Sequence, residues 1–259
     1  MTSSFETPLR DSPPNVSGVR QVTVVLVQFT GLVLLQIIGT IALLRLVQPL
    51  LPSSWQHRTW SYGLAAHIAG FVVALLLMSV LKPYFPGNFG LSMPKGRSYV
   101  WPALWIGALA GLFMLGVDHY PELLRHRAPV GPYSPTPANM IPWLFIQGEV
   151  VGLTEEVVFR SLFLGYLITR LPKRVRLGGI EISAAGILIA FVFSLAHATS
   201  FGHTPLITAI GQQVYAIGFG LFCAYLFEQS RSILAPIIAH NAGDLVEWCC
   251  RFALTALWP

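Results

Sequence analysis

Long apolar runs are the feature that most constrains this chain. One of them, "IPWLFIQGEVVGLTEEVVFRSLFLGYLI" (141–168), is long enough to cross a bilayer, since a spanning helix needs about 20 mostly apolar residues. Seven membrane spans are predicted, at 22–46, 60–81, 99–117, 141–168, 180–199, 205–227 and 232–257. A break within 141–168 or 232–257 would raise the count to eight. We therefore predict an all-α, polytopic membrane helix bundle with seven to eight transmembrane helices.

The composition leaves no room for a sizeable soluble domain. Only 10% of the 259 residues are charged and 54% are hydrophobic, whereas a typical soluble domain is about 25% charged. Residues 1–20 are polar and rich in proline and serine, and they lack the apolar core of a signal peptide. We predict that 1–20 form a disordered cytoplasmic tail and that 21–259 form a single transmembrane domain.

The basic residues predict an orientation in the membrane. Lys and Arg are concentrated in the loops on the N-terminal side, above all in 169–179, which carries Arg170, Lys173, Arg174 and Arg176. Because positively charged loops stay in the cytoplasm, we expect a cytoplasmic N-terminus and an integral protein of a bacterial cytoplasmic membrane, surrounded by lipid. No basic cluster coincides with aromatic side chains on a polar face, so no nucleic-acid partner is expected.

Two adjacent glutamates and an arginine stand in the middle of the run 141–168. Glu156 and Arg160 are four residues apart, so they share a helix face and can neutralise each other. Glu155 is rotated by about 100° from Glu156. It has no cationic partner at Val158 or Phe159, three and four residues on. Glu156 is therefore interpreted as structural, and Glu155 as free to meet a group from another helix or to accept a proton.

Two later spans add imidazoles. "FVFSLAHAT" (191–199) supplies His197, with Phe193 one turn earlier on the same face, and "APIIAHNAGDLVEWCCR" (235–251) supplies His240, with Asp244 four residues on. Ionisable side chains inside a membrane are rare and usually functional. The first three spans hold few of them. His67, the mid-span exception, is interpreted as a histidine that makes a helix contact.

The three spans together offer two kinds of chemistry. A carboxylate and a histidine can deprotonate water, and one carboxylate with two histidines can bind zinc. Asp244 could orient His240 through a hydrogen bond. An inert polar network is the structural alternative, but helix–helix hydrogen bonds in membranes often contribute less than about 1 kcal/mol each. We expect Glu155, His197 and His240 to point into one cavity.

Three short motifs carry a resemblance to a known family. "EEVVFR" (155–160), "FSLAH" (193–197) and "HNAGD" (240–244) resemble the signatures EExxxR, FxxxH and HxxxN/D, in that order and on separate spans. These signatures are characteristic of the CAAX prenyl protease and bacteriocin-processing family of intramembrane proteases, also called the CPBP or Abi family. The similarity covers about 141–250.

The resemblance implies a bundle of about eight helices around a conical cavity inside the membrane. It implies that Glu155 and His197 activate water, and that His240 and Asp244 stabilise the oxyanion, with Glu156, Arg160 and Phe193 in support. Asp244 departs from the Asn of the best-known prenyl proteases. An ionised Asp would repel an oxyanion, so Asp244 either is protonated or holds His240.

Three functions follow as hypotheses, led by an intramembrane endopeptidase that cleaves a peptide or lipidated peptide near the membrane surface. A non-proteolytic scaffold or regulator is the second, and a proton-coupled transporter is the third. Transporters often show inverted repeats, and this sequence shows no such symmetry. No cofactor is favoured, because the donors come from three helices without an HExxH-type pair. A metalloprotease-like zinc site would use Glu155, His197 and His240.

Overall fold

The helices of the computed structural model follow most of the predicted spans. It describes residues 18–56, 58–85, 87–94, 98–129 and 135–258. Residues 1–17, most of the predicted tail, and 95–97 of a predicted cytoplasmic loop lie outside this set. The first helix begins at Gly18, inside the segment predicted as a tail. The α-helices are α1 (Gly18–Val47), α2 (Ser53–Gln56), α3 (Thr59–Leu81), α4 (Val100–Leu124), α5 (Pro137–Phe145), α6 (Gly152–Glu156), α7 (Gly165–Ile168), α8 (Ala184–Ala196), α9 (Leu206–Ser230) and α10 (Leu234–Leu257).

Five helical segments are long and apolar enough to cross a membrane. Within the described residues they are Arg20–Leu50, Trp60–Tyr84, Val100–Leu124, Ala184–Gly202 and Leu206–Ser230. Large apolar side chains such as Ile38, Leu76 and Trp105 are exposed on their outer faces, and contiguous exposed apolar surface marks contact with a partner or a membrane. The prediction of an all-α integral membrane protein is confirmed.

The other two predicted spans are also helical, but they carry the polar residues. Residues 137–168 form one continuous helical run, in which α5, α6 and α7 are separated by π-helical turns at Ile146–Val151 and Val157–Leu164. α10 contains Asp244, Glu247 and Arg251. Because these two runs fall outside the five apolar spans, the count of seven to eight transmembrane helices stays a prediction.

A β-hairpin replaces the start of one predicted span. Strands β1 (Arg174–Leu177) and β2 (Ile180–Ser183) pair antiparallel, joined by two glycines with positive φ, the backbone that two-residue hairpin turns require. The span predicted over 180–199 therefore begins at Ala184, where the Ser183 hydroxyl caps α8 by accepting from the Gly186 N–H at 2.8 Å. The buried Glu228 fixes the hairpin, since its carboxylate accepts from the Ser183 hydroxyl at 2.7 Å and from Arg174 at 3.0 Å.

The closest approach of two helices is made by glycines. α4 and α10 cross so tightly that a Cβ on Gly107 would collide with the Ala239 carbonyl, and one on Gly111 with the Gly243 carbonyl. Such small residues let backbones meet in a membrane, where packing rather than the hydrophobic effect drives helix association. This crossing determines where α10 presents His240.

The crossing gives a first prediction. Gly111→Ala places a methyl group against the Gly243 carbonyl and forces α4 from α10, so we expect a loss of about 1–3 kcal/mol of stability, as for other overpacked sites. Gly116→Ala on the same helix is the control, because nothing lies within 4 Å of its added Cβ. Thermal unfolding in detergent measures both. Equal melting temperatures for the two variants would contradict the assigned packing.

Candidate active site

The two glutamates stand where the helix 137–168 changes its hydrogen-bond pattern. α6 (Gly152–Glu156) is a short α-helical piece between the two π-helical segments, and π-turns inside α-helices are frequent at functional sites. Gly152 permits the close contact with α10, because a Cβ there would collide with the Asn241 side chain and lie 2.9 Å from the His240 Cβ. The glutamates are thereby brought against the third motif.

Glu156 and Arg160 form a buried ion pair, as their spacing predicts. Arg160 Nε lies 3.1 Å from Glu156 Oε2, and neither side chain has any exposed surface. The guanidinium also donates to the Gly220 carbonyl at 3.3 Å and lies over the Phe193 ring, 4.8 Å from its centroid. Its charge is thus stabilised by a carboxylate, a carbonyl and a π face, while Nε and Nη1 make no hydrogen bond in the described part of the chain.

Glu156 has a second partner that the sequence did not reveal. Its Oε1 is 2.8 Å from His240 Nδ1, on a helix 84 residues away in the chain. A carboxylate can only accept, so His240 carries a proton on Nδ1 and donates it. Glu156, rather than Asp244, therefore makes the hydrogen bond that fixes the tautomer and the ring orientation of His240.

The other nitrogen of His240 faces two more carboxylates. His240 Nε2 is 3.9 Å from Glu155 Oε2 and 3.6 Å from Asp244 Oδ2. Both distances exceed a direct hydrogen bond, although both are within range of strong electrostatic interaction in a buried site. The two carboxylates therefore lie beside Nε2, but neither makes a direct hydrogen bond with it.

His197 ends α8 and opens onto a cavity. Its Nδ1 is 3.0 Å from the Phe193 carbonyl, so Nδ1 donates and Nε2 is left as an acceptor in the neutral ring. The Phe193 ring contacts both imidazoles, with centroids 4.9 Å from that of His197 and 6.0 Å from that of His240. Phe193 thus packs against Arg160 and the two histidines together.

The cavity has a volume of about 380 Å³ and brings His197, His240 and Asp244 together. Glu155 is not among its lining residues. It lines an adjoining groove of about 230 Å³ with His67 and Thr154, and it approaches the cavity beside His240 Nε2. The two histidines share one cavity, as expected. Glu155 does not line that cavity and lies beyond His240, in the adjoining groove.

Two further side chains line these spaces: Asp118, which sequence reasoning missed, and His67, which it interpreted only as a helix contact. Asp118 lines the cavity and accepts from Gln212 Nε2 at 2.8 Å. The predicted span ended at residue 117, whereas α4 continues to Leu124, so counting helical turns beyond the apolar run would have found Asp118. His67 lies 3.9 Å from Glu155 Oε1, a contact between distant helices that no local pattern signals.

The fold and the site define an integral membrane protein with a buried cluster of carboxylates and imidazoles beside an internal cavity. Residues 137–246 match the family described as Type II CAAX prenyl endopeptidase Rce1-like. This match confirms the resemblance carried by the three motifs, all of which lie within the matched residues. Its description is that of a protease, a hydrolase with peptide or protein substrates. No curated protein and no solved structure matches the chain at a significant level.

The two glutamates should differ when each is neutralised. Glu156→Gln leaves Arg160 half-paired where neither side chain meets water, so we expect a loss of roughly 3–5 kcal/mol, the usual effect of breaking a buried ion pair. Glu155→Gln removes only the two longer contacts, each 3.9 Å, to His67 and His240, so this variant should melt close to the unmodified protein. Thermal unfolding in detergent compares them, and equal losses of stability would contradict this division of roles.

Proposed function

We propose that the protein is an intramembrane endopeptidase of the CAAX-protease type, which cleaves a peptide bond of a substrate held in the cavity beside His197 and His240. The observation that carries this proposal is the bond from His240 Nδ1 to Glu156. It leaves His240 Nε2 next to Glu155 and Asp244, the arrangement that a hydrolase needs for an oriented donor near a base.

Glu155 and His197 act as the pair that activates water. Glu155 is a carboxylate whose Oε2 is buried and has no hydrogen-bond partner in the described chain, and His197 offers a free Nε2 acceptor on the cavity side. The water oxygen attacks the scissile carbonyl carbon while its proton passes to Glu155. That proton then goes to the leaving amine nitrogen as the C–N bond breaks, so one water is consumed and an acid and an amine are released.

His240 and Asp244 stabilise the oxyanion. Since His240 donates from Nδ1 to Glu156, it can also donate from Nε2 only as the imidazolium. Glu155 and Glu156 balance the charges of that ring and of Arg160, and Asp244 takes part in its protonated form, because an ionised Asp244 would repel the oxyanion. Preorganised donors aimed at developing negative charge are usually the largest single contribution to such catalysis. Asp244 lies 3.6 Å from Nε2 on the cavity side, where its protonated carboxyl can donate a second hydrogen bond to the oxyanion.

The substrate is a peptide or protein, and an apolar modification would suit the surroundings of the cavity. A groove between α4 and α9, lined by Ile106, Phe113 and Phe222, shares Tyr215 and Phe219 with the cavity. A lipid chain attached near the scissile bond could lie along it. We place the protein in a bacterial cytoplasmic membrane with its N-terminus in the cytoplasm, because the hairpin region carries Arg170, Lys173, Arg174 and Arg176.

Cleavage by the purified, full-length protein in liposomes tests the proposal. We expect peptide hydrolysis that Glu155→Gln lowers by at least about 100-fold, the scale of a lost general base. Glu149→Gln, the same change on the same helix run, is the matched control and should retain activity. Farnesylated and unmodified forms of each peptide distinguish a lipid requirement.

Two outcomes would overturn the proposal. If the folded protein cleaves no peptide in such a panel, the scaffold or regulator hypothesis is favoured. If Glu155→Gln keeps full turnover, Glu155 is not the base. Proton flux across the same liposomes, abolished by Glu155→Gln without any peptide cleavage, would instead favour the transporter.

We also propose that water activation proceeds without a metal ion. The set Glu155, His197 and His240 that would hold zinc comes from three helices, and Glu155 is the one anionic donor in it. We therefore expect substoichiometric zinc in the purified active protein and unchanged activity after chelation. Stoichiometric zinc, lost together with activity and restored on its addition, would make that set the ligands.

A further inference from the structure

Glu155 has a second face, turned away from the substrate cavity. Its side chain is 22% exposed, and it lines the groove between α1, α3 and α6 rather than the cavity. The exposed part of the carboxylate is therefore reached from the groove. Four further polar side chains line the same groove: Gln36, Thr40, His67 and Thr154.

His67 is the residue of α3 that faces Glu155. Its Nδ1 is 3.1 Å from the Thr154 hydroxyl oxygen and 3.9 Å from Glu155 Oε1. The Thr154 hydroxyl donates its single hydrogen to the backbone carbonyls of Val150 and Val151, so it can only accept from His67. His67 therefore carries its proton on Nδ1, between a hydroxyl and the carboxylate.

The polar lining continues into α1. Gln36 donates from Nε2 to the Gly70 carbonyl at 2.8 Å and to the Thr40 hydroxyl at 3.2 Å. Its Oε1 is buried and has no hydrogen-bond partner in the described chain, as is also true of Glu155 Oε2. Two unpartnered acceptors therefore stand at the two ends of this lining, one on α1 and one on the Glu155 carboxylate, whose Oε2 lies toward His240.

Such a lining needs an explanation beyond helix packing. α1 and α3 are apolar membrane helices, and polar groups inside a membrane are expensive unless they serve a pathway or a site. A peptidase consumes one water in every cycle. A substrate bound in the cavity would block the access of water to Glu155 from the side of His197, His240 and Asp244. The groove on the other side of Glu155 would stay open to water.

We propose that the groove lined by Gln36, Thr40, His67 and Thr154 is a second approach to Glu155, which delivers water to the carboxylate while substrate fills the cavity. His67 is a positioning residue in this route, because its Nδ1–H donates to the Thr154 hydroxyl at 3.1 Å and its ring lies 3.9 Å from Glu155 Oε1, close enough to orient the carboxylate electrostatically without a direct hydrogen bond. The inference rests on the proposed role of Glu155 as the base, but the hydration of the groove can be measured without any catalysis.

The first test is chemical labelling in liposomes. Cys223, Cys249 and Cys250 are replaced by alanine, and one new cysteine is introduced by Thr40→Cys or by Ile38→Cys. A charged methanethiosulfonate reagent reacts only with thiols that water reaches. We expect fast labelling at 40, in the groove, and little at 38, on the same helix and 62% exposed to the lipid side. Equal protection of both positions would show a dry groove and overturn the proposal.

The second test separates this route from the substrate cavity. Thr40→Val and Gln36→Leu together remove the polar groups that α1 contributes to the groove, with little change in volume. We expect kcat to fall by at least about tenfold with KM unchanged, since the affected step follows substrate binding. His67→Phe should behave in the same way, and His67→Gln, which keeps an N–H donor, should recover part of the loss. His126→Phe, at an exposed position, is the control.

The outcomes distinguish the two proposals. If Glu155→Gln abolishes cleavage while the groove variants keep their kcat, Glu155 is the base and the second approach is wrong. If the groove variants raise KM rather than lower kcat, the groove belongs to the substrate site and the proposal is likewise wrong. If Glu155→Gln stays active but position 40 labels, the proposed base fails although the groove is hydrated.

Discussion

The buried Arg160–Glu156 pair is the interaction on which the rest of the site depends. Each of the two side chains would be an uncompensated charge inside the membrane without the other, so the helix 137–168 can place them there only as a pair. Glu156 then uses its second oxygen to accept from His240 Nδ1 at 2.8 Å. One structural carboxylate thereby links the first motif to the third and sets the direction of an imidazole 84 residues away.

Phe193 and the glycine crossing complete this arrangement. Phe193 lies under the guanidinium and against both imidazoles, so the second motif joins the other two through an aromatic ring as well as through His197. Gly107 and Gly111 hold α10 at backbone contact with α4, which fixes the height and rotation of His240. The polar network and the helix packing therefore both determine the position of His240. A mutation that disturbs one of them should also disturb the other.

The helices were predictable because long apolar runs have few alternatives in a bilayer. The i, i+4 pair of Glu156 and Arg160 followed from the helix period alone. The hairpin at 174–183 was missed because its strands are short and the apolar run of α8 was extended backward through Ile180 and Ile182. The bond from Glu156 to His240 could not be predicted, since it joins distant helices and depends on π-turns that no spacing rule anticipates.

The position of Glu155 was likewise only partly predictable from the sequence. The helix period predicted that Glu155 would be free of Arg160, and in the structure Arg160 pairs with Glu156 instead. No pattern in the sequence indicated which space Glu155 would line. That choice depends on α3, whose His67 the sequence suggested only as a helix contact. The three motifs supply the reactive side chains. The helices outside the motifs determine from which side water can reach those side chains.

A structure with a transition-state analogue tests the central claim most directly. A substrate peptide carrying a phosphinate in place of the scissile amide mimics the tetrahedral centre that the site should bind. The account predicts one phosphinate oxygen within about 2.6–3.2 Å of His240 Nε2 and the other within the same range of Glu155, with Glu156 still bound to His240 Nδ1. An analogue bound with Glu155 still turned into the groove and His240 released from Glu156 would contradict it.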